Sequence, residues 1–307
     1  MQGCICQTTP MSDSSPALSG RHPFRGVMLF ICALLLFSCL DVTVKYLATR
    51  YNVPLVVAMR YIVHCLLMVV ILAPRQGKRL IRTHRTGLVL LRAVCLMVVS
   101  LFVSLALRRI PVAEVTSIQF LAPMLVVLLA GPVLGEKIGA LGWVAAILGF
   151  AGVLLVARPG GGLEPLGVFY VLCGVAAGVV YQLLSRILIS SERPITMLFY
   201  TASTGAVCFG ALLPWFWTKV LPSPFELLLF FSMGVTGGLG HYLFTLAYRD
   251  APASLLAPVN YLQMLWAGLL GWLVFAHVPD GLSILGMVII AVSGGMVALK
   301  SRFSKPA

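Results

Sequence analysis

Asp41 and Lys45 stand one helical turn apart in the run SCLDVTVKYLA, an acid and a base on one face of a segment otherwise apolar enough for lipid. A charged side chain at the centre of a bilayer costs about 2.5–3.5 kcal/mol on insertion scales, so each one asks for a reason. One reading is structural: the two neutralise each other and Lys45 snorkels to the membrane surface. The other is recognition of a polar molecule inside the membrane, with Asp41 also able to carry a proton. Arg60 lies about seven residues, roughly 10 Å, into the next apolar run, which is deep for snorkelling. It can pair with Asp41 or meet an anionic group of a substrate. Arg92, about two turns from the end of its segment, reads as a solvated or snorkelled arginine.

Tyr181, Gln182 and Arg186 repeat the Asp41/Lys45 spacing on a later segment. Gln119, Asn260, Tyr261 and Gln263 are polar or amphipathic groups that lipid would leave unsatisfied, so they are expected to face the interior. They line a cavity or make helix–helix hydrogen bonds, which are typically about 0.6 kcal/mol each. Tyr61, Tyr200 and Tyr242 add aromatic surface, and Trp266 reads equally well as packing. His241 titrates near neutrality in its ordinary state, so His241 and Asp41 are the candidates for proton coupling. A hydrogen-bonded core histidine is the competing reading of His241. Glu114, three residues after Pro111, reads as a helix-start signal favoured by the helix dipole.

The chemistry these residues offer is non-covalent. The five histidines are scattered, HExxH and GxxxxGK[ST] are absent, and no two carboxylates share a helix turn. No catalytic residue, metal ligand or cofactor is therefore expected. Six of the eight cysteines lie in apolar runs, which argues against a disulfide or zinc framework.

Lipid is the solvent the composition asks for: 60% of the 307 residues are hydrophobic and 10% charged, with mean hydropathy +1.02. Ten apolar segments of roughly 19 to 24 residues fall at about 26–47, 53–73, 86–107, 112–131, 138–157, 166–189, 194–213, 225–246, 252–273 and 282–300. The +13 charge sits mostly in the breaks between them, which points to membrane topology and not to nucleic acid. With the N-terminus placed inside, fourteen Lys and Arg flank the inner ends (such as Arg25, Arg79, Arg82, Arg193 and Arg302) and five the outer (Arg50, Arg108, Arg109, Arg158 and Lys219). That bias predicts both termini cytoplasmic. Residues 1–25 read as a disordered tail and 301–307 as a short one.

The chain also repeats itself. Shifting by 141 residues carries Leu105, Ala106, Arg108 and Pro111 onto Leu246, Ala247, Arg249 and Pro252, and Gln119-Phe120 onto Asn260-Tyr261. Gly26 falls on Gly167 and Lys45 on Arg186. Repeats of five crossings each, 26–157 and 166–300, enter the membrane from opposite sides, an inverted repeat of the kind that supports inward- and outward-open states. Pro123 interrupts helix four and Pro258 precedes Asn260, so backbone carbonyls are expected to be freed near the cavity. Gly234 and Gly238 read as a small-residue packing stripe.

The ten-segment pattern, Pro123 to Gly135-Glu136, the Gly149-Phe150-Ala151-Gly152-Val153 run and the Arg158-Pro159-Gly160 exit resemble the EamA-type branch of the drug/metabolite transporter superfamily. The resemblance covers about residues 26 to 300. It implies an all-α inner-membrane carrier of small organic metabolites, with a cavity between two five-helix repeats. It also implies functional Asp41, Lys45 and Arg60, since the family recurrently has such residues there. The second repeat departs from the pattern, with Ala276-His277 where the family usually has Gly-Glu. By the Asp-Lys-Arg pattern and the Trp266-Ala-Gly-Leu-Leu-Gly-Trp272 run, the nearest subgroups look like carriers of riboflavin or S-adenosylmethionine; others export amino acids.

The expected function is secondary transport by alternating access, with membrane lipid and a small molecule as partners and protons a candidate coupling ion. Two other classes compete. A non-transporting sensor or scaffold would usually carry a soluble output domain, and a membrane-embedded enzyme would need clustered reactive groups.

Overall fold

The computed structural model describes residues 23–134, 140–158, 162–188, 191–217, 221–251, 255–256 and 259–303. Regular structure among them is helical throughout. In chain order the helices are α1 (Pro23–Ala48), α2 (Val53–Gln76), α3 (Thr86–Leu107), α4 (Val112–Gln119), α5 (Leu121–Leu134), α6 (Ala140–Ala157), α7 (Pro165–Leu188), α8 (Pro194–Phe216), α9 (Pro224–Asp250), α10 (Leu262–Phe275) and α11 (Gly281–Phe303). Proline opens α1, α7, α8 and α9 and sits second in α2, where its missing N–H leaves no bond unmade. At α9 a capping box adds to this: Ser223 accepts from the Glu226 N–H and Glu226 accepts from the Ser223 N–H.

Six helices, α1, α2, α3, α7, α8 and α9, are long and apolar enough to cross a membrane. Four more apolar stretches are shorter: Val112–Val126, Trp143–Ala157, Leu262–Phe275 and Gly281–Met296. The expected single span 112–131 is broken into α4 and α5 at Phe120. The reason is local: Pro123 has no N–H to offer the Gln119 carbonyl, so the helix tightens, with the Phe120 N–H on the Ser117 carbonyl, and restarts. Helix α1 starts at Pro23, so residues 23–25 are helical and not part of a tail. Residues 1–22, Glu136, Lys137, Pro252, Pro258 and the last four residues lie outside the described part of the chain.

Helices pack in a pattern that the repeat organises. α1 lies against α9 and α10, and α7 lies against α3, α4 and α5; α2 packs on α8 and α9, α3 on α8, α6 on α11, and α4 on α10. Two close approaches recur at equivalent places. A methyl added at Gly26 would lie 2.5 Å from the Ala251 Cβ, and one added at Gly167 would lie 2.7 Å from the Ile110 side chain. Shifting one pair by 141 produces the other. Gly234 and Gly238 let α9 close on Val63 and His64 of α2, the packing role expected of them.

Outside the bundle, Leu66, Val70, Ile147, Trp215, Leu228 and Leu265 are all more than half exposed. Such an apolar girdle would be an aggregation surface in water and is the normal lipid-facing surface in a bilayer.

Candidate functional site

Ser38, Asp41 and Lys45 share the inward face of α1. The Ser38 hydroxyl donates to the Gln263 carbonyl at 3.4 Å, which fixes this face against the start of α10. Asp41 lies deep in the bundle, within electrostatic reach of Arg60. It keeps part of its surface accessible, the combination expected of a side chain lining an internal cavity. Among the described residues its carboxylate has no hydrogen-bond partner. The expected Asp41–Lys45 pair does not form. The Lys45 ammonium instead donates to the Leu107 and Ile110 carbonyls, both at 2.8 Å, capping the end of α3, and sits 5.5 Å above the Phe275 ring.

Arg60 and Arg92 are the other cations of the interior. Arg60 donates to the Ser100 hydroxyl at 2.6 Å and lies 4.8 Å over the Tyr61 ring, whose own hydroxyl is 2.7 Å from Ser100. Arg92 is buried, which corrects the snorkelled reading. It is held by Ser185 at 2.7 Å, the Tyr181 hydroxyl at 2.8 Å, Thr201 at 3.3 Å and the Met197 carbonyl at 3.4 Å. Arg92 is enclosed because α7 and α8 close over the first turns of α3 and bring those hydroxyls to it. The clue in the sequence was the set of Ser, Thr and Tyr on neighbouring apolar segments, which an arginine in lipid needs as partners. Neither guanidinium makes an ion pair among the described residues.

The two halves meet where α5 and α10 begin. Phe120 and Tyr261 both have right-handed helical dihedrals immediately before a helix begins, α5 and α10 respectively, with φ, ψ of −63°, −10° and −69°, −14°. Their rings stack with centroids 4.9 Å apart at 23°. Beside them Gln119 and Asn260, together with Gln182 and Gln263, are half-buried, and none of the four amide side chains bonds a described residue. Amides so placed in a membrane interior are costly unless water or a ligand satisfies them. His241 packs its ring 4.9 Å from Phe37, deep in the bundle and near His64.

Several candidates fall elsewhere. The Tyr200 hydroxyl donates to the Ile81 carbonyl at the N-terminal face of the bundle, and Tyr242 and Arg186 are exposed. Trp266 packs against the Phe30/Leu34 cluster. Glu114 is more than a helix-start signal. It is buried, 3.0 Å from the His277 imidazole and in electrostatic reach of Lys45. Lys45, Glu114, Phe275 and His277 thus tie α1, α3, α4 and α10 together at the end of the bundle away from the N-terminus. Ala276, beside that tie, ends α10 at φ +53°, a left-handed conformation that suits the glycine of the resembled pattern better than alanine.

The sequence model of the EamA-like transporter family matches residues 24–158 and again 165–299, two segments offset by the 141 residues of the repeat. An S-adenosylmethionine uptake transporter of Rickettsia bellii is 28% identical over 266 residues, covering 86% of this chain and 90% of the relative. A riboflavin transporter of Vibrio cholerae is 25% identical over 284 residues, covering 89% and 92%. A protein crystal structure shares the fold with TM-score 0.64 at 20% identity, covering 90% of this chain and 97% of its own.

Proposed function

Because the chain belongs to the EamA-like transporter family and is a multi-pass membrane transporter of small metabolites, we propose that it works by alternating access between two inverted repeats. The observation that carries this is the Phe120–Tyr261 stack. Equivalent residues of two copies can touch only near the axis relating them, and these touch immediately before α5 and α10 begin. The packing scheme supports the same axis: α1 on α9 answers α7 on α3, and α1 on α10 answers α7 on α4 and α5. Ten crossings with both termini cytoplasmic fit the charge bias and the ion pairs. Arg25–Asp250 lies at the N-terminal face, while Arg50–Glu226, Arg109–Glu164 and Arg158–Asp280 lie at the other.

The substrate path runs between Asp41, Arg60, Gln119, Tyr181, Gln182, Asn260, Tyr261 and Gln263, with Asp41 and His241 the groups for proton coupling. Lys45 holds the outer end of the path in this state through the α3 carbonyls. A carboxylate with no hydrogen-bond partner and a guanidinium hydrogen-bonded only to a hydroxyl, both among the described residues, and a facing pair of rings suit a planar metabolite carrying both signs of charge. S-adenosylmethionine has a purine, a carboxylate and two cationic centres, and it is the first candidate; riboflavin, planar and rich in hydrogen-bonding groups, is the second.

Thermal unfolding of the purified chain in detergent against both compounds, amino acids and nucleosides tests the substrate class. A ligand at 100 times its dissociation constant adds about 2.7 kcal/mol to the native state. Saturable stabilisation by S-adenosylmethionine or riboflavin is the expected result. Stabilisation by amino acids alone would reassign the substrate.

A further inference from the structure

At the N-terminal face the short 3₁₀ turn Gly77–Leu80 and the residues after it fold over the start of α8. They are fastened there by backbone. Glu192 accepts the N–H groups of His84 and Arg85, both at 2.8 Å, and the Tyr200 hydroxyl donates to the Ile81 carbonyl at 3.0 Å. Leu80 is buried beneath the turn. Glu192, the carboxylate that lines this pocket among the described residues, is therefore committed to the main chain, and among the described residues Arg79, Arg82 and Arg193 form no ion pair. Those three arginines, with His84, Ser191 and Glu192, line a cavity of about 410 Å³.

A pocket lined by three guanidiniums is phosphate chemistry: the planar fork matches two phosphate oxygens, and arginine gives up its hydration more readily than lysine. The surroundings narrow the source. Ile81 between Leu80 and Arg82 is 54% exposed, and Val70, Ile71, Leu90 and Leu91 on α2 and α3 form exposed apolar surface running away from the pocket. A phosphate that reaches this site with acyl chains attached can lay them along that surface; a free phosphate gains nothing from it. We propose that the Arg79/Arg82/Arg193 pocket binds the phosphate of an anionic phospholipid headgroup at the N-terminal face. With that face cytoplasmic, as above, the pocket opens on the leaflet that carries anionic lipid. The site is distinct from the substrate path, and its test reads binding, not flux.

The test titrates the full-length protein in neutral detergent with short-chain phosphatidylglycerol, with phosphatidylcholine and with inorganic phosphate, following the unfolding midpoint. The variants are R79Q/R82Q, R193Q on the facing element, and R75Q/K78Q, which removes the same charge as R79Q/R82Q from neighbouring residues that do not line the cavity. Saturable stabilisation by phosphatidylglycerol is expected, with half-saturation weakened about tenfold or more in R79Q/R82Q and R193Q and unchanged in R75Q/K78Q. Stabilisation by inorganic phosphate with the same variant pattern would support the phosphate site and overturn the lipid source. Equal stabilisation by phosphatidylcholine, or equal loss in R75Q/K78Q, would overturn the site.

Discussion

Phe120 and Tyr261, 141 residues apart in the chain, stack ring on ring at 4.9 Å in the middle of the bundle. Each directly precedes a helix, α5 and α10, and each follows an amide, Gln119 and Asn260. The stack therefore joins the two halves at the level where the substrate path is proposed to run.

The first prediction concerns that contact. An aromatic pair contributes about 0.5–1.5 kcal/mol beyond its buried area, so a double-mutant cycle of Phe120→Leu and Tyr261→Leu should show a coupling of about 1 kcal/mol in thermal unfolding. Gly294 is the seat of the Tyr261 ring: a methyl built there would lie 1.2 Å from the tyrosine hydroxyl. Gly294→Ala should cost about 1–3 kcal/mol as overpacking. The same substitution in a Tyr261→Ala background should cost much less; an equal cost in both would show that the ring does not seat there.

Arg92 carries the second. Lys reproduces its charge but not its fork, so Arg92→Lys can satisfy only part of Ser185, Tyr181, Thr201 and Met197. A loss of about 1.5–3 kcal/mol in unfolding is expected for one charged hydrogen bond forfeited. An unchanged midpoint would return Arg92 to the solvated role its position in the sequence suggested.

A third follows from Ala276. Left-handed backbone costs a non-glycine residue about 1–2 kcal/mol, and glycine gives back part of the gain by loosening the unfolded chain. Ala276→Gly should therefore stabilise the protein by up to about 1 kcal/mol in thermal unfolding. Destabilisation would mean that the methyl is packed in a way its backbone does not reveal.

The fourth concerns pH. Burial pushes the Glu192 carboxyl up, but the Thr83 hydroxyl and the His84 and Arg85 N–H groups outweigh it and hold it below its ordinary 4.5. A carboxyl depressed on folding adds stability above its unfolded value and loses it as pH falls through the folded one. The stability gap between wild type and Glu192→Gln should thus be constant from pH 7 to about 5 and close as the pH falls further. A gap independent of pH down to 3 would rule the charge out as its source.

Much of this architecture was legible before any coordinates because a bilayer leaves few choices. Apolar runs must be helices, amides must turn inward, and a 141-residue shift that matches Gln119-Phe120 to Asn260-Tyr261 must have a spatial counterpart. What could not be read was which partner each charge would take. Asp41 and Lys45 share a face, yet Lys45 prefers the carbonyls at the end of α3, a segment more than sixty residues away. Helix spacing says which residues can meet on one helix and nothing of what a neighbouring helix offers them. Arg92 was misread for the same reason, and the inner wall of Tyr181, Ser185 and Thr201 became visible only when α3, α7 and α8 were packed. Pro123 did announce a break, although the helix stops three residues earlier, at Phe120.

The central claim is that this carrier recognises its substrate between Asp41 and Arg60, and the most direct measurement is uptake of labelled S-adenosylmethionine and riboflavin into proteoliposomes. Wild type, Asp41→Asn and Arg60→Gln would be compared at matched insertion and matched unfolding midpoint. Saturable uptake of one compound by the wild type, reduced about tenfold or more in each variant, is the predicted result, since each removes a charge from the proposed path. Uptake unchanged in both variants would contradict the assignment.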